Sequence, residues 1–391
     1  MIPQRQRPLN VLFVPTANSG IMWWRIQSWV EAAWKTGAAN FQNPLWFKDL
    51  NDIQPWQGKL TDGPKYDPFF IREFVPMIET GCVNADAVVF QYAHEEGAIE
   101  LFDAIKTKFP HLPVLVEIDD NILSVPYYND ASVTYDPRSD VRQRTLQQIR
   151  AADGVITTTP HLKEVYGEYN SNVWVVENSV DVKAWDRLKR RSRPGIRIGW
   201  AGGNGREGDI AIIENAIKNV CRKHKDVKFV FVGGPAKTGL PDFLAGNPQV
   251  EHKAVWEPIL KYPKLLADLD FDIGISPLVD SAFNRGKSNL KWLENSALGI
   301  PTVASNVGHY AETLRNGVDA LLADDENGFE LALDVLISDR RRRRQIGMSA
   351  NARLRQDFSL EKNIHKYVAV LKEAIQLKAD GFKPFEVVEA A

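Results

Sequence analysis

Ten short apolar runs, set apart by longer helix-like stretches, constrain this chain more than any other feature. Five lie in the first half: LNVLFV (9–14), ADAVVFQ (85–91), PVLVEID (113–119), GVITTT (154–159) and VWVVEN (173–178). The pattern then restarts with IRIGWAG (196–202), VKFVFVG (227–233), FDIGISP (271–277), PTVAS (301–305) and DALLA (319–323). Runs that are apolar throughout belong to strands buried on both faces, and strands separated by helices form parallel sheets. The expectation is an α/β chain of two doubly wound parallel-sheet domains. KRRSRPG (189–195), basic and closed by Pro and Gly, has the composition of an exposed hinge, which divides the chain into domains 1–193 and 194–358. A length of 391 residues suits two cores better than one. After Phe358, SLEKNIHKYVAVLKEAIQL reads as one amphipathic helix with Ser359 as its N-cap and Glu361 in its first turn; spacing alone allows it to pack on either half.

Composition removes several function classes. A net charge of -2 argues against nucleic-acid binding through overall charge, although a local basic groove survives within that total. Cys82 and Cys221 are far apart and lack metal or redox spacing, so no metal is expected and two plain thiols in a reducing compartment are. The N-terminal apolar run is too short to span a membrane, and a cytoplasmic location is expected.

Ligands of open α/β sheets bind beyond the carboxyl ends of the strands, so two such domains are expected to face each other across a cleft lined by those loops. The loop GWAGGNGREGDI opens the second half. Its glycines Gly202 and Gly203, with Asn204, allow backbone to approach a phosphate at the start of the next helix. Arg206 in the same loop pairs with a diphosphate or is simply solvated. The G-x-G-x-x-G spacing here also fits a dinucleotide, but VKFVFVGG ends in Gly233 and Gly234 where a ribose-binding acid would stand. A glycine-rich turn with no ligand is the plainer alternative.

The second loop, FNRGKSNLKWLENSALGIPTVAS (283–305), carries more. Ser288 or Asn289 is the expected N-cap of a helix LKWLENSAL, and Lys287 and Lys291 flank its start, where ammonium groups and backbone donors together neutralise a diphosphate. Glu294, within two turns of that start, is placed to accept from a ribose diol; the alternative is an exposed acid pairing with Lys291.

These loops together resemble glycosyltransferases of the GT-B fold, in particular the retaining family 4 (glycosyl transferases group 1). That family carries an E-x7-E motif before an "A-x-G-x-P-V-V-A-S" strand, and LENSALGIPTVAS matches the second glutamate, Glu294, and the residues after it. The first glutamate is absent, its position by spacing being Gly286. VVENSVDVKAWD resembles the family's entry to the hinge, and SNVGHYAETLRNGVDALLADD its "S-x-V-G-G-x-x-E" run, with Glu312 in the acid position. DRRRRRQIGMSANARLRQDFSLEKNI looks like its closing helices, which makes Arg340–Arg344 a solvated helix face. The glycine loop looks like that of a divergent phage and bacterial branch, which often has histidine where Arg206 stands.

The resemblance implies two Rossmann-like domains, with helix 359–391 returning to the first. It also implies sugar transfer from a nucleotide-diphosphate-sugar, with retention and without metal or cofactor. Charge builds on the leaving diphosphate, so Arg206, Lys287 and Lys291 are the catalytic candidates; Gly20, Gly202, Gly203, Asn204, Ser288, Asn289 and Glu294 are expected on the donor. The acceptor is a glycan, a lipid or hydroxymethylated DNA, and the oligomeric state is left open. A GT-B epimerase and a two-lobed small-molecule binding protein are the alternatives. Asp119 and Asp120 of EIDDN are either acceptor contacts or turn residues.

The segment NSGIMWWRIQSWVEAAW (18–34) holds four tryptophans. As a helix it places Met22, Ile26, Trp29, Val30 and Ala33 on one face, with Trp23 and Trp34 flanking that stripe. Trp24 falls on the polar side beside the Asn18-Ser19-Gly20 turn, and is expected as an exposed ring that stacks on an acceptor, with Arg25 reaching for a phosphate or hydroxyl.

Overall fold

The computed structural model describes residues 7–15, 20–43, 68–93, 96–129, 131–188, 193–203, 206–233, 244–253 and 260–381. The hinge residues 189–192, the turn residues Asn18 and Ser19, and Asn204 fall outside the described residues. The chain forms two compact units. One comprises Met1–Asp120, Asp136–Glu177 and Leu360–Ala391, and the other Asn121–Tyr135 and Asn178–Ser359. The crossing thus falls at Glu177/Asn178, ahead of the hinge expected from composition, because Val180 already bridges to Ser359 and donates to the Phe358 carbonyl.

The first unit is built on six parallel strands: β1 (Asn10–Val14), β2 (Asn40–Gln42), β3 (Ala87–Gln91), β4 (Val114–Glu117), β5 (Gly154–Thr157) and β6 (Val173–Val175), in the order β2-β1-β3-β4-β5-β6. The second repeats the plan with β7 (Ile196–Gly202), β8 (Val227–Gly233), β9 (Val250–Lys253), β10 (Ile273–Ser276), β11 (Thr302–Ser305) and β12 (Leu321–Ala323), in the order β12-β11-β10-β7-β8-β9. All ten expected strands form. The two that sequence reading missed, β2 and β9, are edge strands. Phe41 is the one buried residue of β2, and the four residues of β9 are all half-buried, so neither needs a continuous apolar run.

Helix packing in the first unit follows the expected stripe. Met22, Ile26, Trp29, Val30 and Ala33 are all fully buried against Val11, Phe13, Val89 and Leu115 of the sheet. The helix Leu360–Ala379 packs in the same core through Ile364, Tyr367 and Leu371, and the Tyr367 ring stands edge-on to Trp29 at 5.2 Å. The helix Leu360–Ala379 therefore does return to the first unit.

Trp34, expected at the margin of the stripe, and Trp24, expected on the polar side, exchange places relative to expectation. Trp34 is 53% exposed, although its indole donates to the Phe41 carbonyl at 2.7 Å, whereas Trp24 is 7% exposed. The helix is interrupted by a π-turn at Trp23–Gln27, and Trp24 to Val30 are buried without a break. A wider turn covered on all sides has no polar face, and a 3.6-residue period misplaces residues within it.

In the second unit, Ile198, Phe229, Phe231, Ile273 and Val303 of the sheet pack with Ile217 and Val220 on one helix and with Leu333 and Leu336 on another. Of Arg340–Arg344, Arg342 donates to the Gly317 carbonyl and Arg343 to that of Leu336, while Arg340, Arg341 and Arg344 are exposed. No helix among the described residues is long and apolar enough to cross a membrane.

Candidate functional site

Counted from its own first strand, the second sheet has the order 3-2-1-4-5-6, in which the chain reverses direction between β7 and β10. Loops leaving the carboxyl ends of two such neighbours diverge and leave room between them for a ligand. The loop after β7 carries Arg206, and the loop after β10 leads into the short helix Ala282–Arg285.

These loops are tied together by a buried carboxylate. Asp209, 1% exposed, accepts from the Val279 amide at 3.0 Å and from Asn284 Nδ2 at 2.7 Å. Arg206 Nη1 lies 3.3 Å from its other oxygen and 3.5 Å from Asn284 Oδ1. Arg206 is thus a partly exposed cation held at the switch point by Asp209 and Asn284. A third group comes from far away in sequence: Tyr128 lies against Gly208, where a Cβ would come within 2.8 Å of the ring. Its phenol is pushed up to about 12 by burial and by the Asp209 charge.

The helix Leu290–Ala297 supplies the other half of the site. Trp292 anchors it, fully buried, with its indole donating to the Asp319 carbonyl at 2.8 Å. Asn289 occupies the N-cap position as expected, but no side chain caps the helix, which leaves its start able to donate to an anion. The Asn289 amide donates instead to Thr313 Oγ1 at 3.3 Å, and its buried Oδ1 accepts no hydrogen bond among the described residues. Ser288 Oγ accepts from Asn178 Nδ2 at 2.9 Å.

Lys291 does not stay at the helix start. Its ammonium donates to the Ala201 carbonyl at the end of β7 and sits 4.8 Å over the centre of the Trp200 ring. A Cβ at Gly202 would fall 2.8 Å from that nitrogen, so Gly202 is what admits the lysine; Gly203 is exposed and meets nothing within 4 Å. Lys287 Nζ stands 4.1 Å over the Phe283 ring. Glu294, 5% exposed, is buried rather than the exposed helical acid of the alternative reading, and accepts from Tyr262 Oη at 3.2 Å. Burial pushes the Glu294 carboxyl up and the Lys291 ammonium down, and each partly offsets the shift of the other. Glu312 is half exposed on its helix, with His309 Nδ1 3.4 Å from its carboxylate.

The structure therefore brings Arg206, Gly202, Lys291, Ser288, Asn289 and Glu294 to the carboxyl end of one sheet. Sequence reading missed Tyr128, Asn178, Asp209, Tyr262 and Asn284. Asp209 stands three residues beyond Arg206, but the other four enter by tertiary approach and leave no local signal.

The residues assigned to an acceptor lie in the first unit and fare differently. Arg25 is 1% exposed and donates from Nε to Glu117 Oε1 at 2.5 Å, with Glu117 fully buried at the end of β4. Burial works against the Arg25 charge, and the Glu117 carboxylate more than restores it. Neither Trp24 nor Arg25 is presented at the surface as expected, because the π-turn carries both inward. Asp119 and Asp120 are half-buried beyond β4, and the Asp120 carbonyl accepts from the Tyr166 hydroxyl. Gly20 opens the helix that follows β1.

Two parallel six-stranded sheets with helices around them, and a cationic edge at the second sheet's switch point, define a two-domain α/β protein of the GT-B fold. Residues 195–339, within the second unit, match the family model "Glycosyl transferases group 1". The chain is 26% identical over 254 residues to TuaH of Bacillus subtilis (strain 168), named as a glycosyltransferase of teichuronic acid biosynthesis; the match takes in 61% of this chain and 62% of TuaH. A glycosyltransferase from Rickettsia africae ESF-5 superposes with a TM-score of 0.61 at 17% identity, covering 95% of this chain and 100% of that one. Anabaena Alr3699/HepE, solved in complex with UDP-glucose, gives a TM-score of 0.62 at 14% identity, over 93% of this chain and 99% of the other.

Proposed function

We propose that this chain transfers a sugar from a nucleotide-diphosphate-sugar to an acceptor hydroxyl, with Arg206, Lys291 and the uncapped start of helix Leu290–Ala297 on the diphosphate and Glu294 on the ribose. The carrying observation is that Arg206, on the loop after β7, and Lys291, on the helix Leu290–Ala297, converge on the carboxyl end of β7, with the buried carboxylate of Glu294 on the same helix as Lys291. Cations and helix donors that meet a developing diphosphate charge lower the barrier to its departure. Alr3699/HepE with UDP-glucose, on the same fold, supports a nucleotide-sugar donor.

Retention follows if the acceptor attacks from the face the diphosphate leaves, with the leaving phosphate taking the acceptor proton. Neither metal nor cofactor is required in this scheme, because the protein's own cations neutralise the diphosphate. Lys287, Ser288, Asn289 and the Gly202-Gly203-Asn204 backbone complete the donor contacts, and Asp119 and Asp120 face a glycan, lipid or modified-DNA acceptor. Titration calorimetry with UDP and its glucose conjugate tests the donor site. Glu294→Ala should weaken both ligands about tenfold or more, the loss of a hydrogen bond to a charged group plus its desolvated surroundings. Unchanged affinity would remove the ribose assignment.

A further inference from the structure

A segment that follows β4 in the chain belongs, by packing, to the second unit. Asn121–Tyr135 is anchored on the helix Ala282–Arg285, where Asn121 Nδ2 donates to the Ala282 carbonyl at 3.2 Å, and again where Tyr128 rests on Gly208. Between these anchors Tyr127 is 91% exposed. Its ring stands edge-on to Tyr128 at 5.5 Å, and its carbonyl accepts from Ser132 Oγ at 3.3 Å. A single exposed aromatic is ordinary, but this one is pinned on both its ring edge and its backbone, one ring away from the group that packs beside Arg206.

Among the described residues, the other rings around this edge are occupied. Trp200 lies under Lys291 and Phe283 under Lys287; Tyr262 donates to Glu294 and the buried Tyr310 accepts from Ser276. Among these described rings, Tyr127 offers an open face. The apolar face of a pyranose stacks on such a ring, and a ring already held in place loses little entropy on binding.

On the footing of the donor site above, we propose that Tyr127 is the platform on which the sugar of the nucleotide-sugar stacks, so that the segment Asn121–Tyr135 forms one wall of the donor site. The diphosphate and ribose are held without it. Tyr127 should therefore act on sugar conjugates and not on bare nucleoside diphosphates.

Titration calorimetry separates the two. UDP, ADP, GDP and dTDP, each with its glucose conjugate, are titrated into the full chain, its Tyr127→Ala variant and its Tyr127→Trp variant. The expected result is that Tyr127→Ala binds the diphosphate within about twofold of the original chain, binds the glucose conjugate roughly fivefold to tenfold more weakly, and that Tyr127→Trp restores the latter. An unchanged ratio of conjugate to diphosphate affinity in Tyr127→Ala overturns the platform while the donor site stands, as does an equal loss of both ligands. If the original chain binds none of the four diphosphates, the donor site itself fails and the platform with it.

Discussion

Glu294 and Lys291 share one buried environment, and their opposite shifts set how ligand binding responds to pH. In the donor site proposed above, Glu294 accepts from both ribose hydroxyls as the carboxylate, and burial raises its titration above the usual carboxylate range. Lys291 must be protonated to meet a phosphate, and burial lowers its titration below the usual lysine range. Affinity for a nucleoside diphosphate should therefore rise with pH through the first transition and fall through the second, and calorimetry across pH 5 to 10 should trace a bell clearly narrower than the span between free carboxyl and lysine values, because the two shifts run towards each other. Glu294→Gln should flatten the acidic limb and, by removing the carboxylate that raises Lys291, move the alkaline limb to lower pH. The Arg25–Glu117 pair makes a contrasting prediction. Both side chains are buried, so Glu117→Gln leaves the guanidinium without its anion and should cost about 3–5 kcal/mol by urea denaturation. The helix that carries Glu294 is legible in LENSALGIP, because a short helix keeps its register, whereas the burial of Glu294 is not. Nor is the pairing of Glu117, because a glutamate ending an apolar strand gives no hint of the arginine that reaches it from a π-turn.

Two helices of the second unit are joined by a ladder that follows from helical periodicity alone. On Glu326–Ser338, Glu326, Glu330 and Asp334 recur every fourth residue, and they meet Asn215, Asn219 and Lys223 at the same spacing on Glu214–Lys223. Residues four apart share a helix face, so two such rows form rungs. The last rung also takes His224 Nε2, 2.8 Å from Asp334. Burial pushes the Asp334 carboxyl up, but hydrogen bonds from Lys223 and His224 outweigh it and leave the group below its usual range. A carboxyl lowered by folding contributes stability above its unfolded titration and loses it as pH falls through the folded value. Asp334→Asn should therefore lower stability by about 0.5–1 kcal/mol at neutral pH, and its thermal midpoint should converge with that of the original chain in acid. The same arithmetic served the helix Gly20–Thr36 well for its stripe and failed at the π-turn, where the spacing ceases to be 3.6 residues.

At the scale of the whole molecule, the first unit is completed by the helix Leu360–Ala379. Tyr367 fills a gap among Phe13, Trp29 and Phe41, and its hydroxyl finds no hydrogen-bond partner among the described residues. Tyr367→Ala should cost about 3–5 kcal/mol by cavity formation, whereas Tyr367→Phe should be neutral or stabilising, since it relieves a buried hydroxyl. Urea denaturation of the two variants checks both, and equal losses would mean that the hydroxyl is satisfied. Sequence by itself determined the two doubly wound sheets, ten of their strands, the apolar stripe of Gly20–Thr36 and the Glu294 helix. Each of these depends on neighbours in sequence, through strands that must be apolar on both faces and helices that keep one period. Tertiary structure alone decided what meets at the site. Arg206, Asp209 and Asn284 converge because β7 lies beside β10 while β8 and β9 come between them in the chain, and Tyr128 joins them from another sheet's loop. Strand order is a property of how whole elements pack, so no local pattern of residues announces it.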